Sequence, residues 1–304
     1  MESLWTTFTF RALWTPELIV GIILVSIVYG WLIKYEKRHQ HVLSNTSLRQ
    51  KIYFGLGMLA LYGGWGSPLY LAGHMVMSIH MLQMVLAYFV AVPFLLLGLP
   101  KWVFSQAAEW LKSRGIQPIF RFFSHPILAL LLFNGLFSFY HVPFMFDSLM
   151  QSPILHSVYQ YGLLFAAALM WWHMLAPLPS VYQLSDLRRI GYIFANGILI
   201  TPACALIIFA PASMYATYTD PVVWANVMSY CLPAGTEIPL SMFNGPSAPL
   251  AFLDTRMDQQ LAGVLMKIMQ EVVYGITIGY VFKQWLRKEK QQEGSMTISD
   301  IPSL

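Results

Sequence analysis

The chain has 304 residues, of which 57% are hydrophobic and only 11% charged, with a mean hydropathy of +0.57 and a net charge of +4. A soluble domain carries about 25% charged residues, so composition excludes an ordinary soluble fold. The small positive charge sits in short clusters between apolar runs, which is the pattern of cytoplasmic loops and excludes a nucleic-acid footprint.

Apolar runs of about 20 residues recur along the chain, each long enough to cross a hydrocarbon core of about 30 Å. Bare backbone polar groups are not tolerated there, so the runs must be helical. The reading is an all-α integral membrane protein, one transmembrane domain over 1–290, with about seven spans in contact with the lipid bilayer. They fall near 18–33, 52–72, 75–99, 126–146, 154–175, 190–210 and 261–286. Glu2 interrupts what would be a basic n-region, so no cleaved signal is expected. The stretch 101–117 alternates Trp102, Phe104 and Trp110 with Lys101, Glu109, Lys112 and Arg114, as a helix lying on the membrane surface does. The segment 211–260 reads as an outer loop and 291–304 as a flexible cytoplasmic tail.

With the amino terminus outside and the carboxyl terminus cytoplasmic, the cytoplasmic segments collect fifteen Lys and Arg and the outer ones keep only Arg11 and Arg256. That bias sets the expected orientation. Cys204 and Cys231 form no CxxC pair, so dithiol and thiolate-metal chemistry have little support. No nucleotide-binding or hydrolase motif is present, and a non-enzymatic protein is expected.

Polar groups inside the bilayer are costly and point to function. His74, His80, His141 and His156 all map to the outer half of the third, fourth and fifth spans. On the third span Met77, His80, Met81 and Met84 are spaced i, i+3, i+4, i+7, which places imidazole and thioethers on one face. That combination suits copper, Cu(I) above all. Packing is the usual role of a Met stripe, and hydrogen bonding at the interface is the usual role of a single histidine. The coincidence of three histidines at one depth raises the metal reading to parity. His125 and His173 lie at the inner ends of spans, beside Trp171 and Trp172, where interface anchoring outweighs haem ligation. Lys267 and Glu271 are four residues apart in the seventh span, a spacing that allows an internal ion pair.

The run His80-Met81-Leu82-Gln83-Met84, continuing through Pro93 to Gly98-Leu99-Pro100, resembles a segment of the CtaG family, the multi-span cytochrome c oxidase assembly factors of Bacillus and its relatives. The likeness continues through His125-Pro126, Tyr140-His141-Val142-Pro143, Met170-Trp171-Trp172 and Asp258-Gln259-Gln260-Leu261-Ala262-Gly263. It implies a protein of the bacterial plasma membrane, needed to make an active caa-type oxidase through the copper of its binuclear centre. Two positions depart from the family pattern: Met84 and Gln160 stand where relatives often carry histidine. The expectation is therefore an assembly factor that holds copper at an outer-leaflet site of His80 and His141, assisted by Met84, His156, His74 and Met77. It would deliver the ion to a cytochrome c oxidase subunit. The alternatives are a copper permease, a haem-binding electron-transfer protein and a metal-free oxidase chaperone.

Overall fold

The computed structural model describes residues 8–38, 46–177, 182–232 and 253–293, and those residues are all helix, turn and loop. Short α1 (Phe10–Trp14) leads into α2 (Pro16–Arg38), and α3 (Leu48–Trp65) is followed by α4 (Pro68–Gly73). Next come α5 (Met77–Gly98), α6 (Lys101–Ser113), α7 (Gln117–Phe123), α8 (Pro126–Tyr140), α9 (Pro143–Met150) and α10 (Pro153–Leu175). The chain continues with α11 (Asp186–Ile208), α12 (Ala216–Thr219), α13 (Pro221–Ser229) and α14 (Thr255–Glu293). Five helices (α2, α5, α10, α11 and α14) are long and apolar enough to cross a membrane, and a sixth span results if α7 and α8, bent by 67°, count as one. The protein is a multi-pass, all-helical membrane protein.

Two expected spans are broken. The 52–72 segment divides at Gly66, where Ser67 caps α4 and Pro68 opens it with a missing N–H that no preceding carbonyl can use. The 126–146 segment divides at His141 and Val142, because Pro143 restarts the chain as α9. The expected 211–260 loop contains α12, α13 and the start of α14, while 233–252 lies outside the described residues. Helix α6 is shorter than expected and buries none of its residues. Phe104 meets Trp172 edge-on and Trp102 tilts against Tyr35, so α6 lies across the ends of α2 and α10. Of the expected 291–304 tail, α14 takes residues 291–293 and the remainder lies outside the described residues.

The largest hydrophobic cluster lies among α5, α8, α10, α11 and α14. Helix α5 carries a π-helical turn over Val85–Ala91. Pro93 explains it: lacking an N–H and crowding the preceding turn, it forces the ladder to widen. In the wider register the carbonyl of Tyr88 would look to Pro93 for a donor, and the indole of Trp171 donates to it instead, at 2.9 Å. Helix α2 sits at the margin of the bundle, held to α3 and α5 by Tyr29, which stacks on Phe54 and donates to the Gly98 carbonyl.

Helices α3 and α5 cross almost backbone to backbone. A Cβ at Gly64 would stand 2.8 Å from the Gln83 carbonyl oxygen and 3.2 Å from the Ala87 Cβ. Without a hydrophobic drive between helices in lipid, such close approach is what holds a pair together. Gly64→Leu is therefore expected to cost about 1–3 kcal/mol through overpacking. Size-exclusion of detergent extracts should show a reduced folded peak; an unchanged yield and melting point would show that α3 is free to retreat.

Candidate metal site

Four histidines gather at one end of the bundle because each falls at a helix end. His74 follows α4 and His141 follows α8 as C-caps, while His80 and His156 lie in the first turns of α5 and α10. At a helix C-terminus an imidazole N–H finds unpaired carbonyls. His74 Nδ1 accordingly donates to the Tyr70 carbonyl at 2.8 Å, and His141 Nδ1 to the Phe137 carbonyl at 2.7 Å. The His141 bond fixes its tautomer: the proton is on Nδ1, and Nε2 keeps its lone pair. That Nε2 is buried and has no protein partner.

His80 is more exposed to consequence. Its ring is 1% accessible, and neither nitrogen has a hydrogen-bond partner. It stacks on Tyr140 with centroids 5.7 Å apart and planes 8° from parallel, and meets Phe146 edge-on at 5.2 Å. The rings of His80 and His141 stand 6.5 Å apart, and those of His74 and His156 stand 6.0 Å apart. Tyr140 lies between the two pairs and bonds His156 Nε2 at 2.8 Å, with Gln160 Nε2 on the same atom at 3.2 Å. His156 thus has its lone pair engaged, while His80 and His141 do not.

Met77, Met81 and Met84 are all buried in the large hydrophobic cluster, to which Tyr140 and Phe146 also belong. Among the described residues no three His, Cys, Asp or Glu side chains are disposed to hold an ion together. The histidines at the other end stay apart from this locus: His173 Nε2 donates to the Ser124 carbonyl at 2.9 Å, and His125 packs against Tyr182. Cys204 and Cys231 are both free thiols. Burial pushes the Cys231 thiol up to about 11, so it is a poor source of thiolate at neutral pH.

Several residues that the sequence reading passed over build this end of the molecule. Gln83, one turn from His80, is 1% exposed, with both amide atoms unpartnered. Asp258 of α14 accepts from the Met77 N–H at 2.7 Å, supplying the N-terminal cap that Val76 cannot give α5. Asp147 of α9 accepts from the N–H groups of Ala216 and Thr217 and from the Thr217 hydroxyl, at 2.7–2.9 Å, and so pins α12 over the cluster. From that cover Tyr215 donates to the His141 carbonyl and Tyr218 to the Gly73 carbonyl, each at 2.8 Å. Both phenols are pushed above their ordinary range, by burial first and then by nearby carboxylates, and remain protonated donors. The four histidines beneath are each no more than 6% exposed.

The arrangement gathers four buried imidazoles beneath an aromatic cover. Compared with known families, the chain matches the model for cytochrome c oxidase caa3 assembly factors (Caa3_CtaG) over residues 27–288. No curated protein and no solved structure matches it. With nearly the whole chain inside that match, the protein belongs to the cytochrome c oxidase caa3 assembly factor family.

Proposed function

We propose that this protein supports oxidase assembly by holding Cu(I) transiently between His80 and His141 and passing it to the oxidase. The observation that carries this reading is the pair of neighbouring, buried imidazoles, set edge-on to one another, whose lone pairs no protein group uses. Two imidazoles bound across one ion at about 2 Å per bond would have centroids roughly 6 Å apart. The 6.5 Å separation needs only a small inward movement to reach that. His156 and His74 stand behind this pair as groups that can exchange onto the ion, and Met77 and Met84 tune the softness of the wall. Few, exchangeable ligands suit a site that must give its cargo away.

In this reading the protein lies in the bacterial plasma membrane with the histidine end outward. Basic residues concentrate at the opposite end of the bundle, as the positive-inside rule requires. Helices α3 and α4, and the bent α7 and α8, bring the spans to seven.

The test is metal content by mass spectrometry on purified protein loaded with Cu(I) and desalted. Wild type is expected to retain about one copper, and His80→Ala and His141→Ala each to lower this at least tenfold. Copper that survives both substitutions, or none retained by wild type, would leave a chaperone that works through protein contacts alone.

A further inference from the structure

Buried polar atoms without a partner are not confined to the four-histidine end. Among the described residues the others are Trp102 Nε1 of α6, Ser124 Oγ between α7 and α8, Tyr192 Oη of α11, Asn134 Oδ1 of α8 and Gln270 Nε2 of α14. The last four run from the opposite end of the bundle to its middle. At that end the Ser124 carbonyl accepts from His173, and the His173 ring meets the Tyr192 ring at 5.7 Å. One turn along α11 stands Asn196, which Asn134 joins at 2.8 Å. Asn134 and Asn196 fall near the middle of their helices, so this bond lies near mid-bilayer. At the same level Gln270 lies beside Gly197, where a Cβ would stand 3.6 Å from its Nε2.

The bonds that are made identify the atoms left over. Asn196 Nδ2 donates to the Tyr192 carbonyl, so its Oδ1 faces Asn134, whose Nδ2 must donate. Asn134 Nδ2 also reaches the Leu130 carbonyl, and its Oδ1 is the atom without a donor. Asn134 and Gln270 are 4% and 0% exposed. Beyond Asn134 the polar groups stop. Phe89, Phe133 and Phe137 pack ring on ring with centroids 5.7–6.3 Å apart, each no more than 1% exposed, and Phe137 lies against His141.

The chemistry of the four atoms selects what can serve them. Asn134 Oδ1 accepts, Gln270 Nε2 donates, and the two hydroxyls do both. A cation would be repelled by the Gln270 N–H groups and by the Lys267 ammonium, which donates to Gln270 Oε1 at 3.2 Å. An anion would be repelled by Asn134 Oδ1, and Lys267 is already neutralised by Glu271 at 2.6 Å. Water is neutral, both donates and accepts, and settles in buried polar sites of this kind. Polar side chains inside a membrane bundle commonly line such water.

We infer that ordered water fills this column, making this half of the bundle a hydrated half-channel that ends at the three phenylalanines. The inference uses no part of the copper site and stands whether or not metal is bound.

X-ray radiolysis tests it, because radicals formed from bound water oxidise the side chains beside that water. Full-length protein in lipid nanodiscs is irradiated and digested for mass spectrometry, and each rate is corrected for intrinsic reactivity. Tyr192 should oxidise about tenfold faster than Tyr88, a buried tyrosine of α5 whose hydroxyl donates to the Gln160 carbonyl. Asn134→Leu combined with Asn196→Leu removes the middle of the column and should bring Tyr192 down to the Tyr88 rate. Phe133 and Phe137 should stay unoxidised in wild type. Equal rates for Tyr192 and Tyr88 in wild type would overturn the inference. So would a Tyr192 rate unchanged in the double variant, or phenylalanines oxidised as fast as Tyr192. Wild type alone decides the first and last of these should the double variant fail to reach the membrane.

Discussion

His80→Leu is expected to melt at a higher temperature than wild type in chelator and at a lower one in Cu(I). A neutral imidazole carries one N–H and one lone pair, and at His80 both are buried without a partner. Leaving such groups unpaired costs about 1–3 kcal/mol, and a leucine of similar volume removes that cost. The stacking on Tyr140 that is lost amounts to about 0.5–1.5 kcal/mol, so the balance favours the variant in the metal-free state. With copper present the order reverses, because an ion at a hundred times its dissociation constant stabilises wild type by about 2.7 kcal/mol and has no site in the variant. Thermal unfolding in detergent, with and without copper, checks both halves. A variant that melts below wild type in chelator would mean that the free imidazole is already satisfied. The reversal is what distinguishes a ring kept for binding from one kept for packing.

Arg189→Met should lose about 3–5 kcal/mol, the largest stability change expected from any single substitution at the end of the bundle remote from the histidines. The Arg189 guanidinium is 3% exposed and joins three helices. Its Nε and Nη2 donate to the Met174 carbonyl and Nη2 also to that of Leu175, two of the carbonyls that the end of α10 leaves unpaired. Its Nη1 reaches Asp186 in the first turn of α11 and Gln284 of α14, both at 2.9 Å. Removing the fork orphans those carbonyls and leaves Asp186 with Lys288 alone. Arg189→Lys should recover only part of the loss, since a single ammonium cannot span the same acceptors. Denaturant titration of both variants measures the difference. Equal stability of the lysine variant and wild type would show that charge alone matters there.

The spans that the apolar runs indicate include α2, α5, α10, α11 and α14, and the two expected spans that break do so at Pro68 and Pro143. The Lys267–Glu271 pair was legible because it is local to one helix. That His74, His80, His141 and His156 fall near the same ends of neighbouring helices was legible too, but their meeting depends on how each helix is rotated, which spacing within one helix cannot say. Tyr140 precedes His141 and would face away from it on a continuing helix. The helix ends there, and that turn is what puts both rings in one locus. Asn134 of α8 donates to Asn196 on α11, a pairing that spacing within α8 does not announce. Asp258 and Asp147 act on backbone groups far away in the chain, and no local pattern announces a cap supplied from another helix.

The cover formed by α12 has a bearing on time as well as on shape. With every imidazole sealed beneath Tyr215, Tyr218 and Phe146, nothing can enter or leave the enclosure faster than that segment opens. Local opening of this kind is governed by the contacts that hold the segment, here the three bonds to Asp147 and the phenol bonds of Tyr215 and Tyr218 to the His141 and Gly73 carbonyls. If the proposed copper site lies there, exchange of the ion needs this latch to open as well as the ligands to let go, so loosening the latch should speed exchange without altering the imidazoles.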